Sequence, residues 1–254
     1  MSFNARPRAV LFDVDGTLVN TIPMIVAGLS ESYKALADRP VSRNEVKATI
    51  GTPLSTCMNL YGCDAHPSTL DERIRFAMDR YIANADKIEI FDGVLSVVAD
   101  LLSAGIPVAL VTSRNAEELE WISNQFPILW DVPVHVSASD VYNPKPHPDP
   151  VLLACAQLGV DPSDAIFIGD SVHDVHAGVS AGVTTVAVSY GSSTTEELLS
   201  GKPNLLLASP KSVCDWLQAT FSLSTSCQTI TNSILDLEIP PANLDVVEDA
   251  LVKN

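Results

Sequence analysis

Six short apolar runs punctuate the chain: Ala9–Val14, Pro107–Thr112, Val134–Ser137, Ala165–Gly169, Thr184–Ser189 and Asn204–Ala208. Runs of this length and apolarity suit strands covered on both faces, not half-solvated strands that alternate polar and apolar. Helical patterns over 94–104, 115–125, 149–158, 172–181 and 210–221 separate them. Gly105, Gly159 and Gly182 follow three of these helices, at the left-handed C-terminal position that glycine adopts most easily. Strands alternating with helices predict a parallel, doubly wound α/β sheet of Rossmann-like type.

One interval breaks the alternation. No strand-like run is expected between Gly16 and Asp92, where two helical stripes appear instead. Ile22, Ile25, Val26, Leu29, Tyr33 and Leu36 recur at spacings of three and four, as do Leu70, Ile74, Met78, Tyr81 and Ile82. Ser68 with Asp71 three residues on is the expected N-terminal cap of the second stripe. The pattern predicts a small helical domain over 20–89, inserted into a core made of 1–19 and 90–221. Residues 222–254 begin Ser/Thr-rich and contain Pro240–Pro241, and read as a flexible tail. The alternative there is a short docked helix over 243–252, with Leu244, Val247 and Leu251 on one face.

Composition narrows the class. At 46% apolar and 18% charged residues the chain is that of a folded globular protein. No apolar run reaches the ~18–20 residues of a membrane span, and no leader pattern is evident, so a cytoplasmic location is expected. The five cysteines are scattered outside any C-x-x-C spacing and read as free thiols. A net charge of −16 argues against nucleic acid and membrane partners. That charge is unevenly spread. Residues 20–89 hold eight cations against nine acids, a net of −1, which leaves −15 on the rest. Such a core repels an anionic substrate unless a metal and a few placed cations offset its field.

Four segments at the ends of expected strands carry candidate chemistry. Asp13-Val-Asp15-Gly16-Thr17 places two carboxylates beyond the first strand, where open α/β sheets bind ligands, although Asp-Gly after a strand is also a common turn. Thr112-Ser113-Arg114 ends another strand with a hydroxyl and amides able to hold a phosphate oxygen. In Asn143-Pro144-Lys145-Pro146-His147-Pro148 a lysine is fixed between prolines in an extended loop, with His147 as an ordinary loop residue. Gly169-Asp170-Ser171-Val172-His173-Asp174 offers a second carboxylate pair, suited to a hard cation or equally to a helix dipole. His173 and His176 read as solvated helix residues.

Taken together, these segments resemble the four motifs of the haloacid dehalogenase-like hydrolase superfamily. The insert is similar to its C1-type cap, and Ile50-Gly51-Thr52-Pro53-Leu54 resembles the phosphoglycolate phosphatase-like branch. The resemblance spans roughly 8–221. It implies a Mg²⁺-dependent phosphatase in which Asp13 is the nucleophile, forming an aspartyl-phosphate, and Asp15 is the general acid and base. It implies metal ligation by the Asp13 carboxylate, the Asp15 backbone carbonyl and Asp170, with Asp174 assisting, and phosphate binding by Thr112, Ser113 and Lys145. An acid at position 15 separates this pattern from the superfamily's dehalogenases and phosphonatases. The implied substrate is a small phosphorylated metabolite: phosphoglycolate-like, a sugar phosphate or pyrophosphate. Thr52 and Arg43 are the candidate cap contacts, and the eight cap cations are candidates for an anionic substrate tail. A sugar-phosphate mutase of the same superfamily is the alternative. A non-catalytic binding protein is a third reading, opposed by the presence of Asp13, Asp15, Lys145 and Asp170. A monomer or homodimer is expected.

Overall fold

Residues 7–223 are described by a computed structural model, so the expectations for the tail beyond 223 lie outside the described residues. The strands, in chain order, are β1 (Ala9–Phe12), β2 (Val19–Asn20), β3 (Glu89–Ile90), β4 (Val108–Val111), β5 (Val134–Val136), β6 (Ala165–Gly169), β7 (Thr184–Val188) and β8 (Leu205–Leu207). Six of them form one sheet in the order β5-β4-β1-β6-β7-β8, every pair parallel. These are the six runs expected from the sequence. Their side chains alternate faces. Val10 and Phe12 enter one apolar cluster, and Ala9 and Leu11 enter the other.

The helices are α1 (Ile22–Leu36), α2 (Arg43–Ala48), α3 (Leu54–Cys57), α4 (Leu70–Ala83), α5 (Val94–Ser103), α6 (Ala116–Gln125), α7 (Asp149–Leu158), α8 (Val172–Ala181), α9 (Thr195–Ser200) and α10 (Pro210–Phe221). Val97 and Leu101 of α5, Ile122 of α6 and Leu217 of α10 cover one face of the sheet. Val151 and Ala154 of α7 and Ala177 of α8 cover the other.

The interval between β1 and β4 is mainly helical, as its periodicity predicts, with three differences. β2 and β3 pair antiparallel, Val19 opposite Ile90 and Asn20 opposite Glu89, where no strand is expected. The short helices α2 and α3 also fill the stretch between the two stripes. The cap of α4 is Thr69 with Glu72, one residue later than Ser68 with Asp71. Ser68 is held in the preceding loop, because its N–H donates to His66 and its carbonyl accepts from the buried Arg73. Among the described residues no helix is long and apolar enough to cross a membrane.

Candidate active site

The sheet order explains why distant segments meet. β4 and β6 both flank β1, so the residues leaving all three strands emerge side by side. Asp13 follows β1, Thr112–Arg114 follow β4, and Asp170 follows β6. Asp174 lies in the first turn of α8, held there by a capping box in which Ser171 donates to its carboxylate. Carboxylate oxygens of Asp13, Asp170 and Asp174 converge to within 4.8 Å of one another, and all three residues are buried. Gly16, at φ +77°, permits this approach, since a Cβ there would fall on the Asp170 carboxylate and 2.9 Å from Ile22.

Lys145 bonds two of these three acids. The lysine expected in an extended, outward loop is buried, and its ammonium donates to Asp13 Oδ1 at 2.7 Å, Asp174 Oδ1 at 2.6 Å and the Val111 carbonyl at 3.0 Å. Burial alone pushes this amine's pKa down, but Asp13 and Asp174 outweigh it and hold the pKa above its ordinary value. Asp13 is driven well up by burial, then opposed by Lys145 and reinforced by its acidic neighbours. Asp170 is raised to about 7, first by burial and then by Asp174, against the Ser192 N–H that donates to it. Buried oxygens that repel one another this strongly form the donor set of a hard divalent cation, so the residues present fit Mg²⁺.

Asp15 is held apart from that triad. Arg114 grips it with two bonds, Nε to Oδ2 at 2.8 Å and Nη2 to Oδ1 at 2.7 Å, and the Thr21 hydroxyl also donates to it. Arg114 is buried, and Asp15 and Glu118 overcome the cost of burying its charge. The Glu118 carboxyl, also buried, is pushed up by burial and pulled back by Arg114. Neither Arg114 nor Glu118 is a site candidate on sequence grounds. The available signals are the basic residue directly after Thr112-Ser113 and the spacing Asn115…Glu118, which forms a capping box in the structure.

A cavity between core and insert is lined by Asp13, Asp15, Ser113 and Asp170 on one side and by Ile50, Gly51, Thr52 and other residues of the insert on the opposite side. The Ser113 hydroxyl donates to the Gly51 carbonyl at 2.6 Å, docking the insert loop on the core. Thr112 is buried and accepts from the Arg114 N–H. Thr52 reaches the cavity, while its hydroxyl donates to Thr49 O. Arg43 is exposed on α2 and lies outside the cavity lining.

The haloacid dehalogenase-like hydrolase family model matches residues 10–188. N-acetylmuramic acid 6-phosphate phosphatase of Pseudomonas aeruginosa is 32% identical over 188 residues, which is 73% of this chain and 83% of that protein. Pyrophosphatase PpaX of Bacillus velezensis is 30% identical over 203 residues, covering 80% and 92%. The crystal structure of CbbY from Rhodobacter sphaeroides in complex with phosphate superimposes with a TM-score of 0.70 at 25% identity, covering 80% of this chain and 95% of that one. The chain thus belongs to the haloacid dehalogenase-like hydrolase family.

Proposed function

We propose that this family member is a Mg²⁺-dependent phosphatase acting on a small phosphorylated metabolite through an aspartyl-phosphate on Asp13. The observation that carries the reading is the convergence of Asp13, Asp170 and Asp174, two of them bonded by Lys145, beside an Asp15 held separately by Arg114. Asp13, Asp170 and Asp174 would hold the metal, which supplies charge neutralisation for the phosphoryl oxygens.

Lys145 fixes one Asp13 oxygen and Asp13 lines the cavity, which supports its assignment as the nucleophile that attacks phosphorus. As the Asp13–phosphorus bond forms, the bond to the leaving oxygen breaks, and Asp15 gives that oxygen its proton. Water then attacks phosphorus and passes a proton to Asp15. The Asp13–phosphorus bond breaks, releasing phosphate and regenerating the carboxylate. Docking of the 20–89 cap through Ser113 and Gly51 favours the first step by excluding water from the reacting atoms.

The test is release of inorganic phosphate from p-nitrophenyl phosphate with Mg²⁺ in wild type and Asp13→Asn. Turnover that disappears in the variant is expected. Full activity in Asp13→Asn would overturn the nucleophile. Conversion of a sugar 1-phosphate without phosphate release would favour the mutase.

A further inference from the structure

The cations of the insert could be expected to receive an anionic leaving group, but the structure directs them elsewhere. Arg73 is buried within the insert, donating to Met58 O, Ser68 O and Asn59. Arg39 bonds Glu45 and Lys87 bonds Asn84 on the surface, and Arg80 approaches Glu31. Lys34, Arg43, Lys47 and Arg75 are exposed. Among the described residues, none of the eight lines the cavity.

What the insert contributes instead is apolar or hydroxylic: Ile25, Leu29, Ile50 and Leu54, with Thr49 and Thr52. The core contributes a single cation to the lining, Arg114, two of whose three nitrogens are committed to Asp15. Its remaining nitrogen, Nη1, is buried without a hydrogen-bond partner. A buried orphan donor on a cavity wall is costly unless a ligand satisfies it. Glu118 lines the same wall, so Arg114 carries one positive charge between two carboxylates. A second anion placed there would meet no uncompensated positive charge, since Glu118 offsets Arg114 even while Asp15 carries the proton it delivers, whereas a hydroxyl can accept from Nη1 and donate to Glu118.

Resting on the phosphatase reading, we propose that the enzyme's substrate carries an uncharged, hydroxyl-bearing leaving group, as in a small polyol or sugar phosphate. A carboxylate or a second phosphate does not suit the cavity. The docked loop, with Ser113 on Gly51, means that these walls are the ones a leaving group meets.

A matched pair of esters tests this. 2-Hydroxyethyl phosphate and phosphoglycolate are nearly isosteric and differ in a hydroxymethyl against a carboxylate, with pyrophosphate as the second anion. Their kcat/KM values are measured with Mg²⁺, with p-nitrophenyl phosphate as reference. We expect 2-hydroxyethyl phosphate to exceed phosphoglycolate and pyrophosphate by at least about tenfold. A smaller ratio or the reverse order, with the reference ester still hydrolysed, overturns the proposal and leaves the phosphatase reading intact. Loss of all turnover, the reference included, overturns both. In Glu118→Gln, which keeps the acceptor for Asn115 but removes the charge, the ratio is expected to fall by at least about threefold. Equal losses on every ester would show that Glu118 acts on the fold and not on selectivity.

Discussion

Replacing Arg114 by methionine keeps the buried volume roughly constant and deletes both bonds to Asp15, at 2.8 and 2.7 Å. A hydrogen bond to a charged group contributes about 1.5–3 kcal/mol. The two bonds share one carboxylate, and Thr21 still holds it, so the loss in positioning is taken as that of a single bond. At about 1.36 kcal/mol per decade this is roughly a 10- to 150-fold fall in kcat/KM. The fall should depend on the leaving group. An alkoxide needs the Asp15 proton to depart, whereas p-nitrophenolate leaves without one. Because kcat/KM covers only the steps through leaving-group departure, the later work of Asp15 on water does not enter. The assay is kcat/KM for 2-hydroxyethyl phosphate and p-nitrophenyl phosphate in wild type, Arg114→Met and Arg114→Lys. The alkyl ester should show the full fall in Arg114→Met and the aryl ester less than about threefold. Arg114→Lys should lie between wild type and methionine, since one ammonium replaces part of a bidentate grip. Leaving Asp15 without this partner costs at most about 3–5 kcal/mol of stability, or roughly 6–20 °C in Tm. Rates are therefore compared below the variant's own transition, followed by circular dichroism. Equal losses on both esters would refute the assignment of Arg114 to holding the general acid.

Two further outcomes follow from the acidic cluster. In Lys145→Met, Asp13 and Asp174 lose the buried cation that both touch. Removing one partner of such a group costs about 3–5 kcal/mol, so Tm measured without Mg²⁺ should drop by roughly 10 °C. The drop should shrink in saturating Mg²⁺, and an unchanged Tm without metal would show that Lys145 does not stabilise the cluster. The pH dependence comes from Asp170, raised from 3.8 to about 7. A raised carboxyl favours the folded state when protonated. Its contribution is full below its unfolded value and is lost as pH climbs through about 7. Asp13 moves in the same direction. The metal-free protein should therefore lose stability between pH 5 and 8, and the rise in Tm on adding Mg²⁺ should be larger at pH 8 than at pH 5. A rise that is equal or larger at pH 5 would contradict this.

The sheet was legible in the sequence because its central strands are buried on both faces, which forces runs such as Val108–Val111 to be apolar at every position. The β2–β3 pair was not legible. Each member is two residues long, and Glu89 and Ile90 are exposed, so position and not composition makes them pair. The α4 cap shows a similar limit. Ser68 with Asp71 and Thr69 with Glu72 are both sound capping pairs, and the second forms where Arg73, anchored on Met58 O and Asn59 of the preceding segment, also ties down Ser68 O.

The site divides along the same line. Asp13, Asp15 and Asp170 sit within two residues of strand termini or the turns that follow, and strand ends place side chains predictably in this architecture. Lys145 reads as a residue type in a rigid loop, but its burial arises only once β4 and α8 surround it. Arg114 and Glu118 have local readings, a residue past a strand and a helix cap, that conceal the tertiary one. The cap cations show the converse. Their sign and number are plain in the sequence, yet a helical arginine's direction depends on which face packs, and Arg73 turns inward to Met58 O while others face solvent. An acidic core does need cations to admit a phosphate. In the proposed reading Lys145 and a divalent metal would meet that need at the phosphoryl end, while the one cation on the leaving-group wall, Arg114, is already balanced by Asp15 and Glu118. The chemistry is thus written at the strand ends. Selectivity arises from a wall whose character depends on which charges the fold turns away.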